Sequence, residues 1–403
     1  MLQAVHGPPS MALWLHSPPM NDTAMHTPSP LPELAHTTLM QRALDLAEQA
    51  MFRTSPNPRV GCVIVDAQGR VLGEGATQPA GQAHAEVMAL RDAAARGHSV
   101  QGATAYVTLE PCAHTGRTGP CCVALGNAGI AAVHAAMLDP NPRVAGQGVG
   151  YLRSQGVQVH VGEGAQRARE LNLGFFSRMV RGRPWVRMKV ATSLDGKTAL
   201  PNGESQWITG AAARADGHVW RARACAILTG VGTVLSDDPR LNVRSISTPR
   251  QPKLVIADSR LRTPADAALF DVDRKVYIYT TPQGLAHTAR ADALRARGAE
   301  LISLPAADGR VDLRALIHDL GQREINELHV EAGQLLNGAL WEAGMVDELL
   351  HYVAPALLGP GAELARLPAL PTLAQRVPLQ FHSCTQVGED LRLLVRVQGA
   401  DAF

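Results

Sequence analysis

The sequence predicts two consecutive α/β domains behind a short N-terminal extension. Three observations carry this expectation. At 403 residues the chain exceeds the roughly 250–300 residues beyond which a single hydrophobic core stops growing. Short apolar runs alternate with helical patterns in both halves, which implies sheets layered against helices. A basic segment, "RMVRGRPWVRMK" from Arg178 to Lys189, interrupts the alternation near the middle and reads as a solvated linker face. The expected divisions are an extension over 1–37, a first domain over 38–182 and a second over 183–403. With 46% hydrophobic and 18% charged residues, either half can bury a core of its own.

The first 37 residues are rich in Pro, Ser, His and Met. They lack the basic start and apolar run of a secretion signal, so they read as disordered. A helical pattern begins near Leu39 in "TLMQRALDLAEQAM" and leads through "RTSPNPRVG" to a hairpin-like pair, "CVIVDAQGRVLGEG", turning at Ala67–Gly69. The helix "GQAHAEVMALRDAAARG" follows, then the strand "ATAYVTLEPC", the helix "CCVALGNAGI", the strands "AVHAAML" and "VQVHVG", and the helix "QRARELNLGFFSRMVRG". The second half restarts with "PWVRMKVATSLDG" and runs through "CAILTGVGTVL", "PKLVIADS", "KVYIYTT", "AELISL", "ELHVEAG", "DELLHYVAPALLG" and "EDLRLLVRVQ". No internal repeat relates the two halves.

No apolar run approaches the ~18 residues of a membrane span, and a formal net charge of +2 creates no field that selects nucleic acid or a membrane surface. A cytoplasmic protein with small, polar or phosphorylated ligands is expected. Its six cysteines, Cys62, Cys112, Cys121, Cys122, Cys225 and Cys384, are too few and too clustered for a disulfide framework, so the central group points to metal or catalysis.

His84 and Glu86 stand two residues apart at a helix start, and Cys112 and Cys121 flank the downstream stretch "TLEPCAHTGRTGPCC". One imidazole and two thiolates form a three-ligand zinc set that leaves a fourth position for water, as catalytic zinc requires. Helix N-termini at His84 and Cys121 favour the thiolate forms. Glu86 then acts as general base: zinc lowers the pKa of its water toward 7, and a neighbouring carboxylate takes the proton and passes it to a leaving amine. His84-Ala85-Glu86 with Pro111-Cys112 matches the H-x-E and P-C pattern of the zinc deaminases of nucleobases, although the second cysteine follows Cys112 by nine residues instead of three. Two alternatives stay open at this level. Cys122 can replace Cys121, and a fourth ligand from Cys122 or His114 would make the zinc structural.

Together "TSPNPRVGCVIV", "HAEVMAL" and "TLEPCAHTGRTGPC" resemble the deaminase half of a bifunctional riboflavin biosynthesis family, in which a diaminohydroxyphosphoribosylaminopyrimidine deaminase is joined to a 5-amino-6-(5-phosphoribosylamino)uracil reductase. The resemblance implies a cytidine-deaminase-like three-layer first domain holding one zinc ion. It makes Cys121 the ligand, as the first cysteine of its pair, and assigns Asn57, His114 and Arg117 to the pyrimidine and its ribose phosphate. The inserted "AHTGRTGP" separates this family from cytidine and tRNA-adenosine deaminases.

In the second half, Gly230-Val231-Gly232 follows an apolar strand but fails as a dinucleotide fingerprint, because Leu235 stands at the third glycine position. What remains is a tight turn whose N–H groups suit a phosphate. Gly333 likewise precedes a helix N-terminus. Taken singly, Trp207 reads as core, Glu331 as a cap and Asp195 as a turn residue. The stretches "VRMKVATSLDGKTAL", "GESQWITG", "LTGVGTVLSDDPRLNVR", "LVIADS" and "HVEAGQLLNGALWEAGMVDEL" are similar to the reductase half of the same family and cover nearly all of 183–397. That implies a dihydrofolate-reductase-like α/β domain using NADPH. By the same resemblance Ala191, Trp207, Thr233, Asp237, Ser259 and the run Gly333, Gln334, Leu335, Leu336, Asn337, Gly338 and Ala339 contact the cofactor. Ser205, Arg221, Leu241, Arg244 and Glu331 contact the substrate, the arginines on its phosphate. The family favours homo-oligomers.

Two competing readings are a single-function cytidine- or tRNA-type deaminase with an unrelated C-terminal half, and a zinc-stapled binding module without catalysis. The inserted loop and the lack of a basic, aromatic-rich surface weigh against the first.

Overall fold

The computed structural model describes residues 33–114, 119–142 and 144–403. The first domain is a sheet between two layers of helices. Its strands are β1 (Gly61–Val65), β2 (Val71–Ala76), β3 (Thr104–Val107), β4 (Ala132–Ala135) and β5 (Gln158–Val161), in the order β2-β1-β3-β4-β5. The strand β1 is antiparallel to both neighbours, whereas β3, β4 and β5 are mutually parallel. Its helices are α1 (Glu33–Gln49), α2 (Ala85–Ala95), α3 (Cys121–Asn127), α4 (Gln147–Ser154) and α5 (Ala165–Arg181).

The strand residues alternate between faces, as a period of two requires. Val63, Val65 and Tyr106 meet α1 and α5, while Cys62, Ile64, Ala105 and Val107 meet α2, α3 and α4. Close packing of helix on sheet explains two glycines: a Cβ on Gly61 would strike the Ala43 carbonyl of α1, and one on Gly73 the Ala89 carbonyl of α2. The expected hairpin forms. Two expectations change. The first helix begins at Glu33 instead of near Leu39, so residues 33–37 are helical, while residues 1–32 lie outside the described residues. The helix α4 was not anticipated; its sequence, "QGVGYLRS", follows Gly146 at the N-cap and holds Gly148 and Gly150, yet the parallel pair β4–β5 needs a crossover there.

The second domain contains β6 (Trp185–Ser193), β7 (Lys197–Ala199), α6 (Ala211–Arg223), β8 (Ala226–Gly230), α7 (Val231–Asp237), β9 (Lys253–Ala257), β10 (Val276–Thr280), α8 (Pro282–Leu285), α9 (Thr288–Ala296), β11 (Ala299–Ser303), α10 (Leu313–Gln322), β12 (Glu327–Val330), α11 (Gln334–Glu342), β13 (Glu348–Ala354), β14 (Ala362–Glu363), β15 (Leu379–Val387) and β16 (Asp390–Val397). Nine strands form one sheet in the order β11-β10-β9-β8-β12-β6-β13-β16-β15. Pairing is parallel from β11 to β13 and antiparallel through β16 and β15. The near-continuous apolar runs of β8, β9 and β10 follow from burial on both faces. The exposed strand β15 escaped notice because its outer residues carry no burial pattern.

The basic segment 178–189 is the clearest departure from expectation. It is no solvated face. Arg181 and Arg183 converge on the buried carboxylate of Asp347, and Arg187 lies fully buried between Glu327 and Glu348. Glu327 also accepts from Arg223 and from Arg59 of the first domain, and Arg396 of β16 bonds Glu170 of α5. Partners distant in sequence neutralise these charges, which local composition cannot reveal.

Candidate active sites

The ends of two helices and one loop build the first site. His84 caps the N-terminus of α2 in an extended conformation, Cys121 opens α3 after Pro120, and Cys112 lies in the loop after β3. His84 Nδ1 lies 3.6 Å from Cys112 Sγ and 3.4 Å from Cys121 Sγ, and the Cys121 N–H points to Cys112 Sγ at 3.4 Å. One donor atom from each of the three residues falls within 4.8 Å of the others. Two sulfurs and an imidazole nitrogen converging this tightly fit a tetrahedral zinc ion with one position left over.

Cys122 is excluded from the cluster. The next residue on a helix turns by about 100°, which carries Cys122 into the apolar core beside Leu125 and Val133. His114 stands exposed at the cleft mouth, outside the cluster. The hydrogen bond from Cys121 pulls the Cys112 thiol down to about 4, against burial and with help from His84, while the same pairing pushes the Cys121 thiol up. The Cys112 hydrogen bond raises His84. Glu86 is 4% exposed, and burial, then the Cys112 charge, pushes its carboxyl up to about 7, the range a general base needs at neutral pH.

His84, Glu86 and Cys112 line a cleft of about 240 Å³ whose walls also include Asn57, Glu110, His114, Asp139, Asn141, Phe175 and Arg178. Asn57 and His114 therefore lie at the site, and Arg117 falls outside the described residues. Glu110, Asp139, Arg178 and Glu324 are among the wall residues that went unnoticed in the sequence. Glu110 is buried and accepts from the main-chain N–H groups of Asp139, Gly146, Gly148 and Val149, holding the segment 139–149 around the cleft. Burial raises the Asp139 carboxyl to about 6. Arg178 comes from α5, and Glu324 from the second domain. "LEPC" and "LDPNP" were the local signals for Glu110 and Asp139; Arg178 and Glu324 have none, since they arrive by tertiary contact.

The second candidate site lies at the carboxyl ends of the parallel strands, where open α/β sheets bind ligands. Glu331 follows β12 and is clamped by Arg221 of α6, Nε at 2.5 Å and Nη2 at 2.8 Å. Burial pushes the Glu331 carboxyl upward, but Arg221 outweighs it and holds the group well below its ordinary value. Glu331 is thus no cap. Arg221 Nη1 donates to the Asn242 carbonyl and Arg244 Nη1 to Asn242 Oδ1, so two guanidiniums meet at one residue, as an anion would require. Lys189, on β6, was missed: it is the lone lysine of an apolar strand, and burial lowers it beside Glu331 and Arg221.

The other expected contacts divide by exposure. Trp207 is 66% exposed with the Arg214 guanidinium 4.6 Å from its ring centroid, so it is not core. Ala191, Ser205 and Thr233 are half-buried, and Asp237 is exposed. Ser259 Oγ accepts from the Val311 N–H. Leu241 packs its side chain in the core with φ 46°, so any ligand contact there runs through its main chain. Gly333 caps α11, and Gln334, Leu335 and Ala339 keep accessible surface. Leu336 packs towards Gly230; Asn337 is buried with its amide donating to Ala332 and Leu364 carbonyls, and a Cβ on Gly338 would strike the Arg366 carbonyl. Asn337 and Gly338 are buried, whereas Leu336 stays half-buried. Asp195 is the expected turn residue, accepting from Ser193 Oγ and the N–H groups of Leu358 and Gly359.

Residues 184–393 match the RibD C-terminal domain family, and residues 34–137 match the cytidine and deoxycytidylate deaminase zinc-binding region. The chain is 45% identical over 360 residues to the riboflavin biosynthesis protein RibD of Escherichia coli K12, covering 88% of this chain and 97% of that one. It is 44% identical over 374 residues to the Haemophilus influenzae RibD, covering 89% and 97%. Among solved structures, Acinetobacter baumannii RibD superposes with a TM-score of 0.80 at 41% identity, covering 90% of this chain and 99% of that one. A Thermotoga maritima diaminohydroxyphosphoribosylaminopyrimidine deaminase/5-amino-6-(5-phosphoribosylamino)uracil reductase gives 0.78 at 29%, with the same coverage.

Proposed function

The chain belongs to the RibD family of bifunctional riboflavin biosynthesis proteins, and from that membership we propose which substrates it takes and which residues act on them. It is a deaminase and a reductase in one polypeptide, with a zinc-binding deaminase domain and an NADPH-type reductase domain; the reading of an unrelated C-terminal half is set aside. The first domain, 38–182, hydrolyses 2,5-diamino-6-ribosylamino-4(3H)-pyrimidinone 5′-phosphate. The second, 183–403, reduces the ribosyl group of 5-amino-6-(5-phosphoribosylamino)uracil to ribityl.

The observation that carries the first step is the convergence of His84, Cys112 and Cys121 beside the buried carboxylate of Glu86. Zinc bound by these three residues, one ion per chain, supplies the Lewis acidity that makes water nucleophilic near neutral pH. Glu86 takes the water proton and returns it to the exocyclic amine. The water oxygen bonds to the ring carbon, its second proton passes to the ring nitrogen, the C–N bond breaks, ammonia leaves and a ring carbonyl remains. Asn57 and His114 orient the pyrimidine, and Arg117 its phosphate.

In the second domain NADPH supplies the reducing equivalent for C1 of the open-chain imine. The chain's own part is positioning. Arg221 and Arg244 hold the substrate phosphate, Glu331 keeps Arg221 aligned, and Ser205 and Leu241 complete the substrate side. Ala191, Trp207, Thr233, Asp237, Ser259 and the α11 N-terminus, Gly333 to Ala339, form the cofactor side. The test is full-length protein with the diamino substrate: ammonia release must precede, and be required for, NADPH oxidation. Turnover of cytidine in place of that substrate would refute the assignment.

Cytoplasmic placement is part of this reading; no helix among the described residues is long and apolar enough to cross a membrane. Self-association is a further part. The strand β15 is a nine-residue sheet edge with Phe381 71% exposed and Leu379 and Leu391 open nearby, a surface suited to a second copy of the chain. Phe381→Lys is expected to shift the mass measured by light scattering toward the monomer; an unchanged mass would remove β15 from the interface.

A further inference from the structure

The segment 54–59 brings Asn57 into the cleft beside Glu86, and the second domain grips that segment on both sides of Asn57. Asn326, in the turn before β12, donates from Nδ2 to the Pro56 carbonyl at 2.9 Å. Arg178 reaches the same carbonyl from Nη2 at 3.3 Å while its Nε donates to Asn326 Oδ1 at 2.6 Å. Beyond Asn57, the Arg59 guanidinium is buried against Glu327. Asn326 is itself buried, and its carbonyl accepts from the Trp185 N–H at 2.8 Å. Glu324, two residues earlier, is part of the cleft wall.

One short stretch of the second domain, 324–327, thus both lines the first site and holds its substrate segment. We propose that the second domain completes the deaminase site, with Asn326 a positioning residue that acts through Pro56 to set Asn57 against the pyrimidine. The inference rests on the reading of Asn57 as a substrate contact. A displacement of about 1 Å in an orienting group can cost up to ~100-fold.

The test uses the full chain. Asn326→Asp keeps the acceptor for Arg178 and turns the donor facing Pro56 into a carboxylate oxygen, so the buried charge stays paired while the clamp opens. Expected is a rise of about tenfold or more in the KM of the deaminase step, with zinc content and the reductase kcat/KM for the deaminated intermediate unchanged. Asn57→Ala should raise the same KM. If Asn57→Ala raises KM and Asn326→Asp does not, the proposal is overturned while the Asn57 reading stands. If Asn57→Ala leaves KM unchanged, the Asn57 reading fails and takes the proposal with it. Parallel losses in both steps of Asn326→Asp would mark a merely structural residue and also overturn it.

Discussion

Glu86→Gln is expected to lower the rate of ammonia release by about 10²–10⁴-fold, the usual contribution of a general acid–base group. A carboxamide has nearly the same shape as the carboxylate and fits the same buried position, but it cannot take a proton from water. Glu86 lies outside the three-donor cluster, so metal analysis of the variant should match the parent. The reductase step, assayed with the already deaminated intermediate, should be untouched, since Glu331 and Arg221 belong to the other domain. Ammonia release within tenfold of the parent would remove Glu86 from the chemistry. Retained zinc with lost turnover would also exclude a zinc-stapled binding module, in which Glu86 has no work to do.

The second large effect concerns stability. Glu327 is 1% exposed and accepts from Arg187 at 2.9 Å and Arg223 at 2.8 Å, as well as from Arg59 across the domain boundary. Removing one member of such a group leaves the others charged and buried. Glu327→Gln is therefore expected to cost about 3–5 kcal/mol in denaturant unfolding. Both domains should loosen together, because Arg59 belongs to the first and Arg187 and Arg223 to the second. A loss below about 1 kcal/mol would mean that water reaches the guanidiniums and screens them.

The pH dependence of this group has a definite sign. Burial pushes the Glu327 carboxyl upward, yet Arg223, Arg59 and Arg187 together hold it well below its ordinary value. The stability it supplies is then complete above the unfolded-chain value of about 4.3 and declines as the pH falls below that toward the folded value. The gap between parent and Glu327→Gln should narrow in acid. A gap that widened would contradict the ion-pair account.

Much of the first site was legible because its signals are local. One residue separates His84 from Glu86, and a strand, a loop and a helix start bring Cys112 and Cys121 together within one short stretch. The spacing could not choose between Cys121 and Cys122, since adjacent residues share the same composition and the same helix start; the phase of α3 decided it by turning one thiol to His84 and the other into the core. Trp207 and Glu331 misled in the opposite direction, because an indole suggests core and a glutamate after a strand suggests a cap. Exposure and the Arg221 clamp show otherwise.

The residues that stayed hidden share one property: their partners lie far along the chain. Arg178 meets Asn326 across 148 positions, Arg59 meets Glu327 across 268, and Glu324 enters a cleft built by the other domain. By itself the sequence determined the two α/β halves, the alternation that buries both sheets, and the donor types gathered around Glu86, because periodicity and short spacing act through local geometry. Only the tertiary structure decided that the basic segment 178–189 is buried, which cysteine joins His84, and how the second domain holds the segment that carries Asn57. The energy of a charge or a thiol depends on which groups surround it once the chain has packed, and that is not encoded in any short stretch.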